Sequence, residues 1–434
     1  MSYMTVFFIL LILLFIMLFI GEKVCFALGV VSILGFFIVG KPSLLASSGL
    51  VAWNAVNSFE LTAIPMFIFM GELVVHCGLS RSFYKSAATY FSRIPGGFLQ
   101  TNLITCGIFS AISGSSLATA AAIGSVSYKD VSAMGYNKRM ILGTLGGGGA
   151  LGILIPPSVT FLIYGSLTET SVSQLFMAGI VPGLACLLMF MIYVIVRVVI
   201  DPSLAPVKGK KASVKEKLYA LKGMFPFVFL IVVILGGIYL GITTPTEAAS
   251  ISVVLAVILS AIFGNLTWNN FITSCLEAVK SCCMIFFIVI GAKFFTYIIT
   301  MAGISRGITT AFAALNPSPL GFFLFLIVIY LILGCLMDGT SIVYLTIPVL
   351  FPLVGIAGFD PLWFGVVLVI LVEVAMLTPP VGMNLFVLHG ITKGTATFKD
   401  IVMGCLPYIL MYSLMLVLLW FFTEIATWLP NTMA

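Results

Sequence analysis

Long apolar runs separated by short polar segments are the dominant pattern of this chain. A helix needs about 20 apolar residues to cross the hydrocarbon core of a bilayer, and ten runs are close to or above that length. These runs lie at 3–20, 24–40, 60–77, 138–165, 176–198, 223–241, 246–263, 281–301, 361–390 and 402–423. The pattern predicts an all-α polytopic membrane protein with ten crossings.

Two further pairs of apolar segments are each interrupted by a short stretch rich in Gly, Ser or Thr. Their limbs are 97–112 with 117–128, and 320–337 with 342–357. Limbs of this length are marginal or too short to cross alone, so we expect re-entrant helical hairpins at about 97–128 and 320–357. Four amphipathic segments are predicted to connect the spans near the interface: 43–58, 79–94, 265–280 and 304–316.

The second half of the chain repeats landmarks of the first half at a nearly constant offset. Gly114-Ser115-Ser116 recurs as Gly339-Thr340-Ser341, 225 residues later. Pro156-Pro157 recurs as Pro379-Pro380 at an offset of 223. An internal repeat of this kind, with a polar break in each half, is typical of secondary transporters.

This repeat divides the chain into halves 1–199 and 223–434, joined by a basic cytoplasmic linker at 200–222. Each half holds five crossings, an odd number, so the second half must be inverted relative to the first. With residue 1 outside, cytoplasmic loops contain 17 of the 20 Lys and Arg residues, as the positive-inside rule requires. Both termini are therefore predicted to be periplasmic.

Composition supports a membrane protein and narrows the chemistry. The chain is 61% hydrophobic and 8% charged, whereas soluble domains carry about 25% charged residues. The net charge of +6 is explained by lysines in cytoplasmic loops rather than by an anionic partner. The nine cysteines lie mostly in apolar runs without ligand spacing, so we expect no disulfide and no metal cluster. The sequence has no P-loop, so ATP is not the expected energy source, and we predict no enzyme activity.

The hairpin tips offer binding sites for ions of both signs. Ser113-Gly114-Ser115-Ser116 precedes an alanine-rich run, so serine is expected to cap the second limb. Free amides at the start of that limb could bind an anion. Unpaired carbonyls at the end of the first limb could coordinate a cation. Unsatisfied backbone in lipid costs several kcal/mol per group, so the break must be buried in protein or face a hydrated cavity.

Each half also contains a helix broken by a pair of prolines, over about 138–165 and 361–390. Proline cannot continue a helix and disfavours the α conformation in the residue before it, so breaks are expected near Ile155 and Thr378. Glycines at 146–149 would let the neighbouring hairpin approach closely. Small residues that only pack helices together could explain a single break. Four breaks at matched positions, two hairpin tips and two broken helices, favour a functional site.

Charged residues inside apolar segments are expected to have specific roles. Asp338, at the second tip, is predicted to act in the transport pathway, with helix capping as the alternative. Glu72, Lys293 and Glu373 are expected to pair with one another or to stabilise helix ends, with a role in the transport pathway as the alternative.

Six motifs together resemble the large membrane subunit of tripartite ATP-independent periplasmic (TRAP) transporters. They are Ile64–Glu72, Ser113–Ser116, Gly152–Ser158, Thr244–Ala249, Met337–Ser341 and Thr378–Gly382. The resemblance covers nearly the whole chain. It implies an elevator-type, ion-transporter-like fold, a sodium-driven secondary importer, and motion of the two-hairpin domain against a static scaffold.

The same resemblance implies sites for sodium and substrate, but no catalytic residue and no organic cofactor. One sodium ion (Na+) would lie among Ser113, Ser116 and the backbone of Gly152, Ile155 and Pro157. A second would lie among Gly339, Ser341 and the backbone of Thr378 to Gly382. The substrate would lie between the tips, near Ser115, Ser158, Asp338, Thr340 and Asn384.

The resemblance further implies a small four-span membrane subunit on a separate chain and a soluble periplasmic substrate-binding protein. Substrates in the family are small carboxylates such as C4-dicarboxylates and sialic acids. We therefore expect the large subunit of a carboxylate importer in a bacterial inner membrane. The main alternative is a stand-alone sodium/carboxylate or ion transporter that needs no binding protein. A channel or an intramembrane hydrolase is less well supported, because the pseudo-symmetry lies within one chain and neither histidine lies at a tip.

Overall fold

A computed structural model describes residues 2–206 and 212–433, and all of its regular structure is helical. The predicted all-α fold is therefore confirmed. Residues 207–211 of the predicted linker lie outside the described residues. The helices before that gap are α1 (Tyr3–Phe19), α2 (Val24–Ile38), α3 (Ser48–Val56), α4 (Ala63–His76), α5 (Leu79–Phe91), α6 (Phe98–Ser113), α7 (Ser116–Ala133), α8 (Lys138–Ala150), α9 (Val159–Thr168) and α10 (Val172–Ile200).

The helices after the gap follow a similar order. They are α11 (Val214–Tyr239), α12 (Pro245–Phe263), α13 (Trp268–Met301), α14 (Ile304–Leu315), α15 (Pro319–Gly334), α16 (Gly339–Ile356), α17 (Pro361–Leu377), α18 (Met383–Thr392), α19 (Phe398–Phe421) and the short α20 (Glu424–Thr427). Both predicted hairpins are present, as α6–α7 and α15–α16. Both predicted broken helices are present, as α8–α9 and α17–α18.

One predicted connector is wrong. The sequence predicts that segment 265–280 is separate from the span at 281–301, but residues 268–280 and that span form α13, a single helix of 34 residues. Its polar residues reduce the hydropathy of the first turns without ending the helix. The matching segment of the first half is interrupted instead, because residues 42–56 and 60–76 meet at a bend of 61°.

Six helices among the described residues are long and apolar enough to cross a membrane. They are α10, α11, α12, α13, α16 and α19. The hairpin limb α16 belongs to this set by its length of 18 residues, although Pro348 and Pro352 interrupt its backbone hydrogen bonding. The predicted total of ten crossings leaves out α16 and adds α1, α2, α4 and the two broken helices, and it stays a prediction.

Most helix contacts fall within two groups that each draw on both halves of the sequence, while α5 also packs on α6 and α7 and α16 also packs on α13. The scaffold group consists of α1–α5 and α11–α14, in which α13 packs on α2, α3 and α4, and α11 packs on α5 and α12. The hairpin group consists of α6–α10 and α15–α20, in which α8 packs on α6, α7 and α19.

The crossing of α8 and α19 is a close junction between the two sequence halves. A Cβ atom on Gly143 would overlap the carbonyl oxygen of Gly404, and the ring of Tyr408 fills the space beside Gly147. At one end of this junction, Arg139 Nε lies 2.8 Å from a carboxylate oxygen of Asp400. Glycine is required here because the two backbones come into direct contact.

Candidate functional site

The first hairpin reverses direction at Gly114 and Ser115. Gly114 has φ +58°, a left-handed conformation that glycine adopts without strain, and its amide donates to the Ser110 carbonyl at 3.1 Å. Ser115 then caps α7, because its Oγ accepts a hydrogen bond from the Ala118 amide at 3.4 Å. The tip is therefore formed by a helix C-terminus and a helix N-terminus that face the same point.

The break between α8 and α9 lies directly against this tip. After Ala150 the chain forms a short 3₁₀ turn, and the cis-linked pair Pro156-Pro157 precedes α9. A Cβ on Gly152 would lie 2.5 Å from the Ser115 carbonyl oxygen. The Val159 amide donates to the Gly114 carbonyl at 3.4 Å. The sequence therefore folds so that Gly152 and the segment after Pro157 line the back of the first tip.

Ser113 and Ser158 are already engaged in local hydrogen bonds. Ser113 Oγ lies 2.6 Å from Thr119 Oγ1. Ser158 Oγ donates to the Ile153 carbonyl at 2.6 Å, and the same oxygen caps α9. The side chain of Ile155 packs towards Gly183 of α10, whereas the predicted role of Ile155 concerns its backbone and stays a prediction. Of the residues predicted for the first sodium site, the structure therefore brings Ser113, Ser116, Gly152 and Pro157 around the tip.

The second hairpin has a related tip with a carboxylate at the capping position. Asp338 caps α16, because its carboxylate accepts from the Ser341 amide at 3.2 Å and also from the Ser341 hydroxyl. Gly339 packs against Val372 of α17, where a Cβ would lie 2.7 Å from Val372 Cγ1. The capping role predicted as the alternative for Asp338 is thus present in the structure.

The break after α17 repeats the arrangement of the break after α8. Thr378 Oγ1 donates to the Val374 carbonyl at 2.6 Å. The cis-linked pair Pro379-Pro380 follows, and Gly382 has φ +52° immediately before α18. A Cβ on Gly382 would lie 3.0 Å from the Thr378 carbonyl oxygen, so this loop folds back on itself. The loop approaches the hairpin where Cys335 Sγ lies 3.9 Å from the Pro379 carbonyl oxygen.

A cavity of about 520 Å³ lies between the two tips and the scaffold group. Three of the five predicted substrate residues line it, namely Ser115, Asp338 and Thr340. The other two, Ser158 and Asn384, are buried behind its wall. Their neighbours Val159 and Met383 face the cavity instead.

The scaffold side of the cavity carries charge that the sequence did not assign to a site. Glu72 of α4 and Lys280 of α13 both line the cavity. Lys280 Nζ lies 2.7 Å from Glu277 Oε1, and Glu72 lies 3.3 Å from His76. Lys280 lies on the wall of the cavity because α13 runs without a break through 268–281, where the sequence predicts a separate connector.

Pairing among Glu72, Lys293 and Glu373, one of the predicted alternatives, is wrong. No ion pair joins any two of them in the described part of the chain. Glu72 pairs with His76, whereas Glu373 of α17 accepts a hydrogen bond from Ser116 at the first tip. The Ser116–Glu373 contact joins residues 257 positions apart, and no local pattern in the sequence indicates it.

Comparisons with known proteins agree over nearly the whole chain. A family model described as "Tripartite ATP-independent periplasmic transporter, DctM component" matches residues 11–425. The chain is 32% identical over 396 residues to the C4-dicarboxylate TRAP transporter large permease protein DctM of Pseudomonas aeruginosa, covering 90% of this chain and 91% of that protein. It is 30% identical to the sialic acid TRAP transporter large permease protein SiaM of Vibrio cholerae, covering 96% of each.

The fold also resembles a solved structure. The crystal structure of the YdaH transporter of Alcanivorax borkumensis, reported to have an unusual topology, matches with a TM-score of 0.62 over 85% of each chain. The sequence identity is 14%, so this likeness concerns the fold alone.

Proposed function

Because this chain belongs to the DctM component family of the tripartite ATP-independent periplasmic transporters, we propose that it imports a small carboxylate and that this uptake is coupled to sodium. In this proposal it is the large permease of a three-component system in a bacterial inner membrane. Its relatives are transporter permeases, and the proposal includes no catalytic step.

The observation that carries the proposal is that both hairpin tips line one cavity. Ser115 from the first half and Asp338 with Thr340 from the second half lie on its wall. A cavity of about 520 Å³ is in the range of sites for small organic ligands. A site formed where the two halves meet is also the usual arrangement in transporters with internal repeats.

Lys280 and two helix N-termini would attract a carboxylate substrate, against the negative charges of Glu72 and Asp338, which also line the cavity. Lys280 is the cationic side chain among the described residues that line it. The N-termini of α7 and α16 lie at the tips, and the positive end of a helix dipole stabilises an anion. Asp338 carries the opposite charge, so we propose that it accepts hydrogen bonds from substrate hydroxyl groups or helps to hold a cation.

Sodium coupling is supported by the oxygen atoms at the tips and the helix breaks. Hard cations such as Na+ are bound by carbonyl and hydroxyl oxygens. In the first half, Ser113, Ser116 and the backbone of Gly152 and Pro157 would bind one ion. In the second half, the proposed ligands are Gly339, Ser341 and the backbone of Thr378 and Gly382. Na+ is here a transported ion rather than a resident cofactor.

An elevator mechanism is supported by the division into two helix groups. The hairpin group would carry substrate and sodium past the scaffold group, with the cavity at their boundary. We propose a separate small membrane subunit and a periplasmic binding protein as the two other components. The inverted orientation of the halves and the periplasmic position of both termini belong to the same proposal.

Uptake measurements in proteoliposomes test this function. The chain would be reconstituted with the small subunit and supplied with the binding protein and a labelled C4-dicarboxylate or sialic acid. A sodium gradient should drive uptake well above the rate with an equal potassium gradient. Equal rates in the two gradients would contradict sodium coupling. Uptake by this chain alone at the same rate would favour the stand-alone transporter.

A further inference from the structure

Glu373 is a buried carboxylate in α17 without a cationic partner among the described residues. Its exposed fraction is 0%. Oε1 accepts a hydrogen bond from Ser116 Oγ, whereas Oε2 has no hydrogen-bond partner in the described ranges. A carboxylate in this position is costly unless something compensates it, and a cation bound at the adjoining tip would do so.

Glu373 lies where the first hairpin tip meets the first helix break. Ser116 is the first residue of α7, and a Cβ on Gly152 would lie 2.6 Å from its amide nitrogen. The backbone amide of Ile153 also approaches the Glu373 carboxyl group. Glu373 thus reaches from the second half of the sequence to the group of residues proposed to bind sodium in the first half.

The second tip also pairs a serine hydroxyl with a carboxylate, but in a different arrangement. Ser341 is the repeat counterpart of Ser116, and its hydroxyl donates to Asp338. The contact between Ser341 and Asp338 lies within one hairpin, whereas the carboxylate that contacts Ser116 comes from the other half of the sequence. In α8, the position that corresponds to Glu373 is Ala150. Each tip serine therefore meets one carboxylate, although the two carboxylates come from unrelated positions.

We infer that Glu373 orients Ser116 and balances the charge of a sodium ion at the first tip. A serine hydroxyl has one proton and two lone pairs, and a cation can use only the lone pairs. When Ser116 donates its proton to Glu373, its lone pairs are free to face the ion. Glu373 acts as a positioning residue through Ser116, and its negative charge favours a cation nearby. This inference rests on the proposed sodium coupling and adds a residue to it.

Sodium-dependent thermal unfolding of the purified full chain tests the inference. NaCl would replace KCl at constant ionic strength, and the Na+ concentration that gives half of the stabilisation would be measured. Glu373→Gln keeps the size and a hydrogen-bond acceptor but removes the charge. We expect it to raise this concentration about tenfold or more, as loss of partners around metal ligands commonly does. The matched control Glu22→Gln, in an exposed loop, should leave it unchanged.

Ser116→Ala should raise the Na+ concentration for half stabilisation by a similar factor. In the double variant this concentration should rise by less than the product of the two single factors, because the residues act together. An unchanged Na+ requirement in a folded Glu373→Gln protein would overturn the inference and leave sodium coupling intact. Absence of any Na+ stabilisation in the unmodified protein would overturn both. If Glu373→Gln does not fold, Glu373→Asp replaces it in the same measurement. Aspartate keeps the charge but has a shorter side chain, so it should no longer orient Ser116. An unchanged Na+ requirement in Glu373→Asp would therefore contradict a positioning role.

Discussion

Asp338 combines two roles that single substitutions can separate. Its carboxylate caps α16 through Ser341, and it also lines the cavity between the tips. Asparagine is as good an N-cap as aspartate but carries no charge.

We therefore predict that Asp338→Asn folds normally and loses transport by about tenfold or more. Asp338→Ala should in addition lose about 0.5–2 kcal/mol of stability, because the cap is removed. Initial uptake rates and thermal unfolding measure the two effects separately. Normal transport by Asp338→Asn, together with an unstable Asp338→Ala, would assign Asp338 to capping alone.

At the same scale, the sequence indicates where the hairpins reverse direction, but not which distant side chains contact their tips. Ser115, Asp338 and Thr340 were identified because small polar residues interrupt apolar runs, a local signal. Glu373 was singled out as a lone charge in a span, but its partner Ser116 lies 257 residues away. The two come together because α17 packs on α8 and on the 3₁₀ turn that follows α8.

At the scale of helices, the breaks were predictable because proline and glycine act through the local backbone. The breaks were expected near Ile155 and Thr378; α8 ends at Ala150, followed by a 3₁₀ turn, and α17 ends at Leu377. The length of α13 was not predictable in this way, since polar residues in its first turns resemble an interfacial connector. This segment packs on α4, where the rings of Phe271 and Phe69 lie 5.7 Å apart and Ser274 Oγ donates to the Glu72 carbonyl at 3.3 Å.

The crossing of α8 and α19 gives a prediction at the helix scale. Gly143→Ala should destabilise the protein by at least about 1–3 kcal/mol, because the added methyl group meets the backbone of Gly404. Gly390→Ala in α18 is the matched control, since a Cβ there meets nothing within 4 Å. Thermal unfolding of the purified variants would show a lower midpoint for Gly143→Ala alone. Equal midpoints would mean that the helices do not cross at these glycines.

At the scale of the whole molecule, charge gives an orientation that a labelling experiment can test. Lys215, in the exposed first turn of α11, is predicted to be cytoplasmic, and Asn431, near the C-terminus, to be periplasmic. In a background without the nine native cysteines, Lys215→Cys should react with an impermeant maleimide only after cell lysis. Asn431→Cys should react in intact cells. The reverse result would invert the whole topology.

The whole-molecule architecture was predictable only in part. The repeat at an offset of 225 residues divides the sequence into two halves. The helix groups do not follow that division, because each group takes helices from both halves. Repeats in a sequence reveal equivalent elements, but which elements pack together depends on long-range contacts.

The junction between α8 and α19 has a consequence for how the protein is made. Arg139 and Asp400, at one end of this junction, are 261 residues apart in the chain. At about 5–20 residues per second, a ribosome needs on the order of ten seconds to a minute to synthesise that interval. Throughout this time the glycine face of α8 is in or near the membrane without its partner. The first half is therefore inserted in the membrane before its packing can be completed. Any factor that shields its small-residue surface during synthesis would act before the second half emerges from the ribosome.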